Sequence, residues 1–243
     1  MGLLKKLFRR TPERTRPYCA ALIAAAGSST RYGGENKLLQ ELGGMPVLAR
    51  TLLAVDRAES IDEIVIAARE DELLTYAQLC KTFDLQKPVK VVLGGATRTE
   101  SVLRAACEAS PEAALLAVQD GARPLVTSAL IDEVVFAAQQ YQAAAPAIPV
   151  TDTVKVAVNG IVESTPERSK LFAVQTPQVF DAELLKAALQ DALRANAVLT
   201  DDCSAVERFG KEVHLTEGDV ENIKITRPLD LIVAEAILQS RGE

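Results

Sequence analysis

The sequence predicts an α/β chain built on a doubly wound, mostly parallel sheet, with a β-arm protruding from it. Three observations carry that expectation. Short uninterrupted apolar runs alternate with segments whose apolar residues recur at helical spacing. The runs show no polar alternation, so each suits a strand covered on both faces, as in a parallel sheet. Polar, glycine-containing loops fall at residues 26–37, 94–101 and 119–124, beyond the carboxyl ends of these strands, where such a sheet collects its ligands.

Element by element, residues 19–25 (CAALIAA) form the first strand and end in small residues before Gly27. Residues 46–58 follow as a helix, with Val47, Leu48, Thr51, Leu52 and Val55 on one face. A strand at 64–68 leads to a helix at 73–83. A strand at 89–93 passes through Gly94-Gly95 into a helix at 101–109, for which Thr99 is the candidate N-cap. A fourth strand at 114–118 ends at Asp120-Gly-Ala-Arg-Pro124 and is followed by a helix at 130–141. Short βα connections of this kind wind right-handedly into three layers. After Ile148 the alternation breaks. Residues 149–158 and 161–174 read as strands joined at Asn159-Gly160, a pair suited to a type I′ turn. An arm inserted in this way reads either as an oligomer contact or as an extra antiparallel edge. Helices at 181–195 and 228–238 close the domain, with short extended pieces at 213–216 and 222–225 between them. Ser204–Glu207 (SAVE) fits a capping box opening a further helix, a structural reading for the neighbouring Thr200-Asp201.

The chain has 243 residues, 48% hydrophobic and 25% charged, which excludes wholesale disorder and gives room for a sizeable core. No apolar run approaches the ~18 residues that a membrane-spanning helix needs, so stable membrane insertion is not expected. A formal net charge of −6 argues against a nucleic-acid partner. Cys19, Cys80, Cys107 and Cys203 make no CxxC pair, and His214 is the one histidine, read here as structural. A Cys/His zinc site and a Ser-His-Asp triad are thereby removed, and a reduced, cytoplasmic setting is expected. Residues 1–17 differ from the rest. Lys5, Lys6, Arg9, Arg10, Arg14 and Arg16 stand there against Glu13, with Leu3, Leu4, Leu7 and Phe8 able to share one helical face. A weak anionic-membrane anchor and a solvated, flexible basic leader are both open; short isolated helices are marginal in water, which favours the second. Residues 18–243 form the domain, with the arm at about 149–174.

The chemistry concentrates in the loops. Residues 24–39 read AAAGSSTRYGGENKLL. Gly27 and the backbone N–H groups after a strand can wrap phosphate oxygens, and Arg31 and Lys37 add two cations. Gly34 is followed by Glu35, which excludes a Walker A loop, and Ser29 occupies the second glycine of a dinucleotide loop. A solvated surface loop remains the plain alternative.

AAAGSSTRYGGENKLL, GGATRTESV (94–102), VQDGARP (118–124), TPQ (176–178), TDD (200–202) and ENIKITRP (221–228) occur in one order. Over residues 18–238 this set resembles the 2-C-methyl-D-erythritol 4-phosphate cytidylyltransferases of the non-mevalonate isoprenoid pathway. The resemblance implies a Rossmann-like nucleotidyltransferase fold, a homodimer through the β-arm, and transfer of a cytidylyl group from CTP to a sugar-alcohol phosphate. It implies Mg2+ carried mainly on the CTP phosphates, with Asp120 as a possible ligand. By the same resemblance Arg31, Lys37, Lys224 and Arg168 are catalytic, Arg168 reaching across from a partner subunit. Ala24, Ala25, Ala26, Gly27, Gly95, Ala96, Arg98, Ser101 and Asp120 would bind the nucleotide. Asp120, Arg123, Asp152, Thr153, Arg168, Thr176, Thr200 and Lys224 would bind the second substrate. The family often carries Asp where Ala96 stands, and a Pro-Lys-Gln run where Asn36-Lys37-Leu38-Leu39 stands. A cytidylyltransferase for another alditol phosphate, such as ribitol 5-phosphate, and a non-catalytic nucleotide-binding module are the alternatives.

Overall fold

The structure is a computed structural model that describes residues 16–27, 32 and 36–242. Its centre is β1 (Tyr18–Ala24), whose side chains are almost wholly buried on both faces. After a small antiparallel pair, β2 (Glu41–Leu42) and β3 (Met45–Pro46), strand β4 (Glu63–Ala68) pairs with β1 in parallel on one side, and β5 (Val89–Leu93) lies beyond β4. On the other side of β1 lies β6 (Ala113–Asp120), also parallel. The chain therefore winds outward through β4 and β5, then returns across β1 to β6. That reversal of strand order opens a crevice at the ends of β1 and β6, the place where doubly wound sheets bind ligands.

Helices cover both faces, and β1 shows why. Ala21 and Ile23 face a cluster shared with α1 (Val47–Arg57), α2 (Leu73–Thr82), α4 (Ser128–Tyr141) and α7 (Pro228–Arg241). Ala20 and Leu22 face the opposite cluster with α3 (Arg98–Glu108), α5 (Ala182–Arg194) and α6 (Asp202–Arg208). Successive strand residues point to opposite faces, so a strand apolar at every position requires both layers. Each Leu, Ile or Phe buried this way contributes roughly 1.5–3 kcal/mol of transfer free energy.

Beyond β6 the sheet turns mixed. Strand β11 (Gln178–Asp181) pairs antiparallel with β6, and β7 (Ala143–Pro149) lies outside β11. Strand β7 in turn carries β10 (Phe172–Val174) antiparallel and β12 (His214–Glu217) parallel. The alanine- and proline-rich β7 is a strand that the sequence reading passes over, because little in its composition favours extended structure.

Several expectations are corrected in detail. The arm is real, but its regular part is short. Strands β8 (Val156–Val158) and β9 (Ile161–Ser164) pair only with each other, and β10 has rejoined the main sheet. Asn159 and Gly160 both take positive φ, as a type I′ turn requires. Helix α3 begins at Arg98, with Thr97 as the cap accepting from Glu100 N–H, so Thr99 lies inside the helix. Helix α6 is capped by Asp201, not Ser204. Residues 222–225 form no strand. Residues 1–15 of the basic leader lie outside the described residues. Arg16, counted with them, is held at the surface, donating to Asp62 Oδ2 at 2.8 Å and Ser60 O at 2.9 Å. His214 stacks on Tyr141 with ring centroids 3.8 Å apart, in keeping with a structural role.

Candidate active site

The three loops meet at the carboxyl ends of β1, β5 and β6 around a cleft of about 390 Å³. Ala24, Ala25, Ala26 and Gly27 form one wall, where the first strand runs out. Gly95, Ala96, Arg98 and Ser101 form another. Lys37, Asp120 and Lys224 complete the rim. Arg31 lies outside the described residues.

The second loop reaches the first because Gly94 has no side chain. A Cβ there would stand 2.6 Å from Ala26 Cβ and 3.0 Å from Ser101 Oγ. Its N–H donates to Ala68 O at 2.8 Å, which ties the loop to β4. Ser101 Oγ accepts from Gly95 N–H at 2.9 Å and donates to Thr97 O at 2.8 Å. Ala96 N–H donates to Glu100 Oε2 at 2.8 Å. The first turn of α3 thus shapes the glycine loop from below.

Asp120 is the one acid lining the cleft among the described residues, and cations surround it. Lys224 Nζ is 2.8 Å from Oδ2, Arg123 Nε is 3.5 Å from Oδ2, and Arg98 Nη2 is 3.8 Å from Oδ1. Burial would push the carboxyl up, but these three cations together hold it at about 2. Thr176 sits beneath, its hydroxyl accepting from Asp120 N–H at 3.1 Å. Arg123 stands behind Asp120 and donates to Asn222 O at 2.6 Å, fastening the segment that carries Lys224. Lys37 Nζ donates to Ile225 O at 2.6 Å in that same segment. Lys37 and Lys224 thus converge on the cleft from opposite ends of the chain.

Other expected residues stand apart from the cleft. Asp152, Thr153 and Arg168 are exposed on the arm, where Arg168 Nη1 donates to Thr151 O at 3.0 Å. Thr200 lies on a separate groove beside β10, with Oγ1 3.0 Å from Ser204 Oγ. Within one chain these four do not join the Lys37–Asp120–Lys224 cluster. Two residues of consequence escaped the sequence reading. Asp202, buried at the start of α6, pairs with Arg98 at 2.7 Å and helps hold that cation at the cleft. Thr226 lines the cleft and donates to Asp230 Oδ2 at 2.6 Å. The TDD and NIKITRP motifs contain both, but a contact between distant loops has no spacing to read.

The donor set also bears on a metal. Among the described residues no three His, Cys, Asp or Glu side chains converge on a point. The cleft offers a single carboxylate, already matched by cations. That arrangement fits magnesium arriving on phosphate oxygens, a cation that keeps waters and needs few protein ligands.

Comparison with known proteins decides the family. Residues 19–240 match the family model of 2-C-methyl-D-erythritol 4-phosphate cytidylyltransferase, IspD. The protein of that name from Geobacillus kaustophilus is 44% identical over 222 residues, covering 91% of this chain and 97% of the relative. The crystal structure of 4-diphosphocytidyl-2C-methyl-D-erythritol synthase from Anaerococcus prevotii superposes with a TM-score of 0.83. The two are 32% identical, covering 92% of this chain and 96% of that one. The Thermus thermophilus cytidylyltransferase gives a TM-score of 0.73 at 32% identity, covering 91% of this chain and 99% of that one.

The chain belongs to this cytidylyltransferase family. As a nucleotidyltransferase with the α/β fold of its relatives, it has to bring two phosphate-bearing substrates together, which calls for positive charge where they meet.

Proposed function

We propose that the cleft binds CTP and that the chain transfers its cytidylyl group to 2-C-methyl-D-erythritol 4-phosphate, releasing pyrophosphate in the non-mevalonate route to isoprenoids. The observation that carries this is the approach of Lys37 and Lys224 to one cleft whose single described acid is Asp120. The attacking phosphate oxygen of the second substrate is already ionised, so no general base is required. What the reaction requires is positive charge around a pentacoordinate α-phosphorus. Lys37 meets the triphosphate at the first loop, beside Gly27 and, in this reading, Arg31. Lys224 exchanges Asp120 for the incoming phosphate and orients the attack. Arg98 and Arg123 keep Asp120 in place when that exchange occurs. The alanines at the end of β1 and the Gly95–Ser101 loop let backbone approach the cytosine closely. Magnesium would be held mainly on the triphosphate, with Asp120 as the one cleft side chain to hold it, and would supply Lewis-acid neutralisation of the departing charge.

The second substrate needs groups that one chain does not bring to the cleft. The arm's exposed Val156, Val158, Ile161 and Val162 favour burial against a second copy, and the arm carries Asp152, Thr153 and Arg168 with it. In this reading the homodimer completes each site from its partner's arm. Thr176 acts through Asp120, and Thr200 stays in its separate groove beside β10. No helix among the described residues is long and apolar enough to cross a membrane, and the cytoplasm is the compartment proposed.

The test is pyrophosphate release from CTP and magnesium with 2-C-methyl-D-erythritol 4-phosphate and ribitol 5-phosphate compared side by side. Release with the erythritol phosphate alone is expected. Release only with ribitol phosphate would keep the chemistry and change the substrate, and silence with both, despite CTP binding, would leave a non-catalytic module.

A further inference from the structure

Lys37 is carried on a 3-10 turn of three residues, Lys37–Leu39, preceded by Asn36. So short a turn has little stability of its own. Its anchor is the Asn36 side chain. Asn36 Oδ1 accepts from Leu38 N–H at 2.9 Å, capping the turn. Asn36 Nδ2 donates to Glu72 Oε1 at 2.5 Å and to Tyr76 Oη at 3.0 Å. Both partners are firmly placed. Tyr76 is fully buried at the base of α2, and Glu72 is nearly so, with Arg69 Nη2 2.7 Å from the same Oε1. Burial also raises the Tyr76 phenol well above its ordinary value, so it stays neutral as Asn36's acceptor.

We propose that Asn36 is a positioning residue for the transfer reaction, acting through Lys37 by locking its turn onto the buried Glu72–Tyr76 pair. Only a carboxamide meets the whole requirement, accepting from the turn while donating twice to the core. A carboxylate has no donor, and a hydroxyl has one donor and too little reach. On the other side of Lys37, buried Leu38 pins the turn to the core, so the ammonium is delivered to the cleft from a backbone fixed at both neighbours. Pre-placing a charge in this way lowers the reorganisation needed when the transition state forms.

The inference rests on Lys37 acting on the phosphates, and one mutant cycle separates the two claims. Steady-state pyrophosphate release and Tm are measured for Asn36→Ala, Lys37→Ala and the double variant. Asn36→Ala should lower kcat about tenfold while leaving the KM for 2-C-methyl-D-erythritol 4-phosphate within about twofold. In the Lys37→Ala background the same change should cost less than about twofold, because the group it positions is gone. The paired exchange Asn36→Asp with Glu72→Gln turns the donor and acceptor round and should recover at least half the lost turnover. Asn36→Asp alone sets two carboxylates against each other and should not. If Asn36→Ala fails to fold, Asn36→Ser, which keeps the cap and drops the bridge, takes its place in the cycle. Equal losses in both backgrounds, or no loss in the wild-type background, would overturn the inference while leaving Lys37's role standing. An unchanged turnover in Lys37→Ala would remove the reading of Lys37 and this inference with it.

Discussion

At the scale of single residues, Asp120 shows how one buried carboxylate organises a cationic site. Its partners Lys224, Arg123 and Arg98 come from three separate segments, and without it their charges would repel one another inside the cleft. The same contacts make it a source of pH-dependent stability. Its folded value of about 2 lies below the ordinary carboxylate value of about 3.9. A depressed value means the contribution is fully present above about pH 4 and is lost as pH falls through about 2, and its size is roughly 2.5 kcal/mol. Urea unfolding of the wild type and of Asp120→Asn, from pH 6 downward, should therefore show a stability gap that narrows between about pH 4 and pH 2. A gap independent of pH would mean that Asp120 stabilises the fold by packing alone. Lys37, whose ammonium donates to Ile225 O at 2.6 Å, is the charge proposed to act on the substrate. Lys37→Ala should leave Tm nearly unchanged and lower turnover about 10²-fold, the scale for removing one transition-state charge. Continuous pyrophosphate detection at saturating CTP checks it.

At the scale of elements, the parts legible in the sequence were those whose environment is written into every residue. Strands β1 and β4 are covered on both faces, so their apolar runs name them directly. Helix beginnings were harder. The first turn of α3 is Arg98-Thr99-Glu100, polar and without apolar spacing, so the helix read as starting at Ser101 and the wrong threonine read as its cap. Helix α6 went the same way, its cap at Asp201 hidden behind a capping-box pattern inside the helix. Strand β7 owes its extension to pairing with its neighbours, which composition does not record, whereas β12 falls on the extended piece expected at 213–216 to within one residue. The cleft's walls were legible because loops at the carboxyl ends of parallel strands converge by topology. Asp202 and Thr226 were not, since their places depend on how α6 and α7 dock. Even the departure at Asn36 is instructive, for its φ of −72° is close to what a proline would impose. The junction of the two nucleotide loops carries a prediction of its own. Gly94→Ala drives a methyl into Ala26 Cβ and Ser101 Oγ, neither at the end of a flexible side chain. The loops must part by several tenths of an ångström, and the KM for CTP should rise at least about fivefold with a smaller change in kcat. A kinetic constant for CTP unmoved by the methyl would show that the approach of these loops does not shape the nucleotide site.

At the scale of the whole molecule, the expected site does not close within one chain. Lys37 and Lys224 sit in one chain's cleft, whereas Arg168 stands exposed on an arm that does not fold back onto it. If the arm serves the neighbouring site, Arg168→Ala should raise the KM for the sugar-alcohol phosphate more than that for CTP. Two-fold symmetry then allows a test that no single variant offers. A Lys37→Ala chain still lends an intact arm, and an Arg168→Ala chain still owns an intact cleft. When the two are unfolded together, mixed and refolded, half the dimers are hybrids, and each hybrid holds one site with both residues and one with neither. About a quarter of all sites should then be whole, so the mixture should recover on the order of a quarter of wild-type turnover while either parent refolded alone stays at its own low rate. Were Arg168 to act within its own chain, every site in the mixture would lack one residue or the other, and mixing would recover nothing.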